Sequence, residues 1–126
     1  MKRISIAIAV FIFSTASFAD TDCANALTND ALVVCSKQVL LDSENNYKSS
    51  LNKLSKSPWI PKKSISSLLA YYERSSALSK TVCTSVFHNG RLRDMYINDC
   101  VSTQLDKLVD SMKSYICTQQ DADGCQ

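Results

Sequence analysis

The sequence contains very little glycine and proline. Its 126 residues include only two of each, Gly90, Gly124, Pro58 and Pro61. Because these residues interrupt regular structure, the few places where they occur mark where helices stop. The scarcity of glycine also excludes a glycine-rich loop of the kind that cradles phosphate groups.

The sequence also lacks a surplus of charge. Lysine and arginine outnumber aspartate and glutamate by 14 to 12. The difference equals Lys2 and Arg3, which lie in an N-terminal leader, so the rest of the chain is neutral. A neutral domain has no electrostatic basis for binding nucleic acid, and we exclude that class of partner.

Residues that carry catalysis or bind metals are equally scarce. His88 is the only histidine, and no two cysteines have the C-x-x-C spacing of a metal site. A nucleophile needs a positioned base, and the sequence offers none. The carboxylate pairs Asp94/Asp99 and Asp106/Asp110 fit solvated charge on helices better than a glycosidase pair. We therefore predict a protein that is not an enzyme and that binds no metal or cofactor.

The N-terminus has the pattern of a secretory signal peptide. Lys2 and Arg3 precede a ten-residue apolar run at 4–13, and Ser17-Phe18-Ala19 follows as a small-x-small cleavage signal. Ten apolar residues are about half of what a bilayer-spanning helix needs. We predict cleavage after Ala19 and a soluble periplasmic product, residues 20–126, with one domain and no stable membrane anchor.

The six cysteines all lie in the predicted product. An even number in a small exported domain indicates disulfides, each adding roughly 2–4 kcal/mol. Six cysteines allow fifteen pairings. The separations favour Cys23–Cys35 and Cys117–Cys125 as local loops, which leaves Cys83–Cys100.

Hydrophobic periodicity predicts three helices, at about 29–55, 62–87 and 91–116. Thr28 or Asn29 would cap the first helix, Pro61 suits the first position of the second, and His88-Asn89-Gly90 would end it. The first and third helices each carry one apolar stripe, whereas the second has apolar residues on two faces. The predicted fold is all-α, an up-down bundle of three main helices stapled by disulfides. The predicted stripe of the third helix consists of Leu92, Tyr96, Cys100, Val101, Leu105, Leu108, Met112 and Tyr115.

A frame of cysteines and leucines extends over most of the predicted product, at Cys23, Cys35, Asp42, Tyr47, Leu51, Leu54, Leu68, Cys83, Gly90, Tyr96 and Cys100. This frame resembles the LprI-like lysozyme-inhibitor family of exported bacterial proteins. The resemblance covers about residues 23–115, although "YYERSSALSKTVC" lacks the tryptophan usual in the family and "CVSTQLDKL" lacks its Thr and Arg pattern. It implies an inhibitor of a peptidoglycan-cleaving enzyme, either lysozyme or a bacterial muramidase. Periplasmic type VI secretion immunity proteins have a similar profile.

Two loops fit an inhibitor that blocks a cleft lined by carboxylates. Residues 57–63 hold the only tryptophan, Trp59, between two prolines and next to Lys62 and Lys63. This stiff loop would order at little entropic cost, with Trp59 as an anchor. The alternative is that Trp59 folds back with Ile60 and caps the end of the bundle.

Residues 88–94 form the second candidate loop. His88, Arg91 and Arg93 lie there, and arginine pairs bidentately with carboxylates. The alternative is a polar helix start with no partner. In an up-down bundle the two loops lie at opposite ends, so at most one enters a given cleft, and the other could serve a homodimer contact.

A different class of function stays open. The adjacent tyrosines of "YYERS", residues 71–75, are typical of a self-association face. The protein would then be a non-inhibitory envelope adaptor or assembly protein. Protection of cells from a wall hydrolase distinguishes the two classes.

Overall fold

The computed structural model describes residue 23 and residues 26–117, and within them all regular elements are helical. They are α1 (Asn29–Ser55), α2 (Lys62–Val86) and α3 (Arg93–Ile116). The predicted all-α bundle is therefore confirmed, and the bounds of α1 agree with the prediction. The predicted signal peptide, residues 1–19, lies outside the described residues, as does Cys125.

Short side chains and prolines set the helix starts. The Thr28 hydroxyl accepts a hydrogen bond from the amide of Ala31 at 3.1 Å, which confirms a side-chain cap on α1. Pro61 precedes α2 as its cap residue and does not occupy the first helical position. Its carbonyl accepts hydrogen bonds from the amides of Ser64 and Ile65 at 2.9 and 3.0 Å. A backbone carbonyl thus begins the α2 ladder where no side chain caps it.

The loop between α2 and α3 is longer than the sequence predicts. Helix α2 ends at Val86, Phe87 is extended, and α3 begins at Arg93 instead of Arg91. Gly90, with φ +131°, is the one described residue with a positive φ. A side chain rarely adopts this conformation, so glycine turns the chain here inside the loop and does not cap the helix.

The helices run up, down and up. The Tyr72 and Ser111 hydroxyls lie 2.8 Å apart, and Cys83 bonds to Cys100, so α2 and α3 are antiparallel. Near the start of α3, Asn98 Nδ2 donates to Ser36 Oγ at 3.2 Å. Helices α1 and α3 are therefore parallel neighbours. Their contact is the most extensive in the bundle, and α2 packs more on α3 than on α1.

Small polar side chains lie between α1 and α3. Ser36, Ser43 and Ser102 are buried. The Ser36 hydroxyl donates to the Val33 carbonyl at 2.8 Å, and Ser102 bonds back in the same way to its own helix. These bonds satisfy the buried hydroxyls of Ser36 and Ser102, since serine readily bonds to a carbonyl three or four residues earlier. The apolar core around them consists of Tyr47, Leu54, Tyr72, Cys83, Val101, Leu105 and Met112.

Two of the predicted disulfides are present. Cys23–Cys35 ties the segment before α1 to that helix, and Cys83–Cys100 joins α2 to α3, each with a Cα–Cα distance of 5.7 Å. Cys83 is 1% exposed and belongs to the core, whereas Cys23 and Cys35 are half-buried. The third predicted pair, Cys117–Cys125, includes a residue outside the described part of the chain.

The two described disulfides should differ in their contribution to stability. They close loops of similar length, so chain entropy alone predicts nearly equal contributions. The Cys83→Ala/Cys100→Ala variant also leaves a core cavity and frees the least packed helix. We expect it to lose about 3–5 kcal/mol in urea unfolding, and Cys23→Ala/Cys35→Ala about 2 kcal/mol. Equal losses would contradict a core role for the α2–α3 bridge.

Two buried tyrosines have opposite hydrogen-bond environments. The Tyr72 hydroxyl bonds to Ser111 at 2.8 Å, whereas the Tyr47 hydroxyl is buried with no hydrogen-bond partner among the described residues. Burial raises the pKa of Tyr72 above its usual value of 10.0, against the lowering effect of the Ser111 hydrogen bond. The same substitution at the two positions therefore tests the value of one hydrogen bond.

We expect Tyr72→Phe to lower the free energy of unfolding by about 1 kcal/mol, and Tyr47→Phe to be neutral or stabilising. The pKa of Tyr72 is raised in the folded protein, so its contribution to the free energy of unfolding is intact below pH 10. That contribution is lost as the pH rises above this value. The Tyr72→Phe variant should therefore lose less stability above pH 10 than the wild type. Denaturant titrations at pH 7 and pH 10.5 measure both effects, and equal destabilisation by the two variants at pH 7 would refute the assignment.

Candidate binding surface

Trp59 lies on the surface, in the loop between α1 and α2. Its side chain is 54% exposed, whereas its neighbour Ile60 is half-buried and packs against the core. The two apolar residues of this loop therefore have separate roles. Ile60 closes the end of the bundle, and Trp59 does not fold back with it.

A groove of about 580 Å³ runs beside Trp59. Trp59 and Tyr115 are the aromatic side chains that line it, and Lys63 lies at its edge. Tyr115 comes from the last turns of α3 and is 44% exposed, so its predicted place on the inward stripe is wrong. Tyr96, predicted on the same stripe, is also exposed, at 47%. Ile60, Pro61 and Leu68 also line it, so the groove combines apolar, aromatic and cationic side chains.

The loop that carries Trp59 is held at both ends. The amides of Lys56 and Ser57 donate to carbonyls in the last turn of α1, each at 3.2 Å. On the other side, the Pro61 carbonyl accepts the first hydrogen bonds of α2. Pro58 and Pro61 fix their own φ angles between these anchors. Trp59 is consequently presented by a short segment with little backbone freedom.

Positive charge concentrates in the part of the chain around Trp59. Between residues 45 and 72 there are five lysines, at 48, 53, 56, 62 and 63, and no aspartate or glutamate. All five are exposed, and none lies within ion-pair distance of a carboxylate among the described residues. The N-terminus of α2 adds the partial positive charge of a helix dipole. Lys62 and Lys63 therefore lie where a carboxylate-bearing partner would be attracted.

The opposite loop, residues 87–92, has a different character. Arg93 Nε donates to the Phe87 carbonyl at 2.8 Å, and its Nη1 lies 3.8 Å from Asp94. The rings of Phe87 and Tyr96 stack with centroids 5.5 Å apart. Arg93 is half-buried and closes the loop on itself. Its guanidinium is therefore already used within the chain.

The other two predicted residues of that loop are exposed. The side chain of His88 is exposed. Arg91 lines a polar depression of about 400 Å³ together with Thr28, Asn29 and Asp30 at the start of α1. Arg91 thus lies at the α1 N-terminus, whereas Trp59 lies beside the end of α3. The two candidate loops are at opposite ends of the bundle, as the up-down order predicts.

The groove contains one contributor that sequence reasoning missed. Tyr115 of α3 completes the groove. Its spacing matches that of the apolar residues of α3, so the periodicity predicts a core position for it. Lys53 and Lys56 add to the positive charge of this end of the bundle. Their own segments have the pattern of solvent-exposed helix and loop, so the sequence does not predict a binding role for them. The acid-free run between residues 45 and 72 was the signal that could have found them.

No family model, curated protein or solved structure matches this chain. The likeness to the LprI-like family therefore stays a prediction from the frame of cysteines and leucines. The described residues contain no group of three or more His, Cys, Asp or Glu side chains placed to hold a metal ion. None of the described helices is both long and apolar enough to cross a membrane.

Trp59 gives a direct test of this surface, since it is the only tryptophan. We expect the ratio of iodide to caesium quenching to be higher for Trp59 than for free N-acetyltryptophanamide, because the surrounding lysines attract anions and repel cations. The Lys62→Ala/Lys63→Ala variant should reduce quenching by iodide, with Lys37→Ala/Lys80→Ala as the control. Stern–Volmer plots at low ionic strength measure the difference. A ratio no higher than that of the free compound would contradict a positive surface around Trp59.

Proposed function

We propose that this protein is a periplasmic inhibitor or immunity protein that binds a peptidoglycan hydrolase and occludes its active-site cleft with the Trp59 end of the bundle. The observation that carries the proposal is a half-exposed tryptophan on a fixed loop, within a stretch of the chain, residues 45–72, that has five lysines and no aspartate or glutamate. The target is a lysozyme or a muramidase effector of the type VI secretion class.

Charge supports this choice of target. A muramidase cleft carries two essential carboxylates, and a cleft with low-dielectric walls focuses their field. Lys62 and Lys63 lie in the first turn of α2, directly after the Trp59 loop, and neither is neutralised by a described carboxylate. Their charge would speed association with an acidic cleft. We therefore expect added salt to lower the association rate constant by a larger factor than it changes the dissociation rate constant.

Aromatic anchoring supports it further. Inhibitor interfaces derive most of their affinity from a few buried aromatic and arginine side chains. Trp59 is 54% exposed in the free protein and has apolar area left to bury on binding. The groove between Trp59 and Tyr115 would receive a ridge of the target beside the cleft, which would desolvate both rings.

The fixed loop lowers the cost of binding. Ordering a flexible loop at an interface costs about 0.5–1.5 kcal/mol for each immobilised side chain. The hydrogen bonds of Lys56, Ser57 and Pro61 already restrict this segment in the free state. More of the contact energy would therefore remain as affinity.

The disulfides are consistent with an exported protein. Cys23–Cys35 and Cys83–Cys100 join described parts of the chain, and such bonds persist mainly in oxidising compartments. Together with the predicted signal peptide, residues 1–19, they support a periplasmic location. A peptidoglycan hydrolase would meet its inhibitor there.

The test is inhibition of purified muramidases by oxidised protein, followed by affinity measurements on matched variants. We expect a stoichiometric complex that survives moderate salt and a loss of wall cleavage. Trp59→Ala should weaken binding by more than about 1 kcal/mol. Arg91→Ala, an exposed substitution at the far end of the bundle, should change it by less than about 0.5 kcal/mol.

Other outcomes would redirect or end the proposal. If Arg91→Ala weakened binding and Trp59→Ala did not, the contact would lie at the α2–α3 loop. Capture of a hydrolase without inhibition would favour the envelope adaptor. If no muramidase were bound or inhibited, the inhibitor function would be refuted.

A further inference from the structure

Two exposed aromatic rings without a ring partner share the groove beside Trp59. Tyr71 meets the ring of Tyr72 edge-on, and Tyr96 stacks on Phe87. Trp59 and Tyr115 have no ring contact among the described residues, and both line the same groove. Their ring faces are therefore available to a ligand. The exposed tryptophan and tyrosine side chains of the described residues are Trp59, Tyr71, Tyr96 and Tyr115.

The groove also has polar side chains with no partner inside the described part of the chain. Ser64 and Ser67 of α2 line it, both are exposed, and neither hydroxyl makes a hydrogen bond there. Ser76 and Ser79 of the same helix instead donate to carbonyls of α2 at 3.0 and 2.8 Å. Lys63 lines the groove and forms no ion pair with a described carboxylate. The groove thus offers two hydroxyls and one cation to a ligand.

These groups match the surfaces of a sugar ring that carries a carboxylate. The C–H face of a pyranose packs on an aromatic ring, because the ring presents an apolar face with partial negative charge. Serine both donates and accepts hydrogen bonds, so it suits the hydroxyl and amide groups of a sugar. A carboxylate pairs with the ammonium group of lysine. A wholly apolar ligand would leave the serines and the lysine unused.

We propose that this groove binds a short glycan with a carboxylate on one of its rings. Its volume of about 580 Å³ lies within the range of roughly 300–1,000 Å³ of ligand sites. N-acetylmuramic acid combines an N-acetylated pyranose with a lactyl carboxylate, so the sugar of the bacterial wall belongs to this class. The half-exposed rings would cover one side of the ligand, and we expect a dissociation constant of about 1 mM.

This inference goes beyond the proposed function, although it concerns the same surface. If the protein inhibits a peptidoglycan hydrolase, wall fragments released by that enzyme would compete with it for Trp59. Only this competition rests on the proposed function. Binding of the sugar by the isolated protein depends on the groove alone, so the two functions are tested separately.

Two disaccharides test the ligand class. N-acetylglucosaminyl-N-acetylmuramic acid and N,N′-diacetylchitobiose share the pyranose frame and differ in the lactyl carboxylate. Saturation-transfer NMR on the sugars, up to about 10 mM, measures binding to the oxidised protein. We expect both to bind, and the carboxylate-bearing sugar to bind about two- to fivefold more tightly, as for an exposed ion pair. Lys63→Ala should remove this preference and leave the affinity for diacetylchitobiose unchanged.

Variants of the two rings test the site. Trp59→Ala and Tyr115→Ala should each raise the dissociation constants of both disaccharides at least about fivefold. Tyr96→Ala is the matched control, since Tyr96 is 47% exposed and Tyr115 44%, but Tyr96 lies at the other end of α3. It should leave both constants unchanged. Circular dichroism confirms that each variant folds.

Several results would overturn the proposal. They are no binding of either disaccharide up to about 10 mM, or binding that Trp59→Ala and Tyr115→Ala leave unchanged. Equal affinities for the two disaccharides would refute the role of the carboxylate. Loss of sugar binding with hydrolase inhibition intact would leave the proposed function standing, and sugar binding without inhibition would leave this inference standing.

Discussion

The Cys83–Cys100 bond is the constraint on which the arrangement of the bundle depends. Helices α1 and α3 pack extensively through a core that includes Leu54, Leu105 and Met112, whereas α2 has fewer contacts with either. The disulfide compensates for this, because it fixes α2 against α3 near their shared turn. The Tyr72–Ser111 hydrogen bond holds the same pair of helices toward their other ends. The rotation of α2 about its axis follows from these two contacts.

Fixing α2 in this way decides which of its side chains face solvent. Its first turn carries Lys62 and Lys63 beside Trp59, and its outer side exposes Tyr71, Leu78, Val82 and Val86. Because the apolar core is small, α2 keeps a large part of its apolar area outside the core.

Much of the fold was accessible from the pattern of residues. The rarity of glycine and proline located both loops, and the apolar spacing placed α1 within its observed bounds. The start of α3 was two residues too early, because Arg91 and Leu92 extend the helical pattern while Gly90 and the Arg93–Phe87 hydrogen bond hold them in the loop. The candidate site was predicted only in part. Trp59 and both lysines were identified, but the contribution of Tyr115 depends on a neighbour distant in sequence.

The sequence by itself determined the three helices and the opposite placement of the two loops, because these depend on local propensity and connectivity. It favoured the two described disulfide pairs by their separation in the chain, and the structure decided them. Only the tertiary structure decided which side chains of each loop stay available. Ile60 and not Trp59 closes the bundle, and Arg93 is engaged by its own loop. Helical periodicity gives the angular position of a residue about the axis of its helix, but its exposure also depends on where the neighbouring helices lie. That position is set by packing and by the Cys83–Cys100 bond.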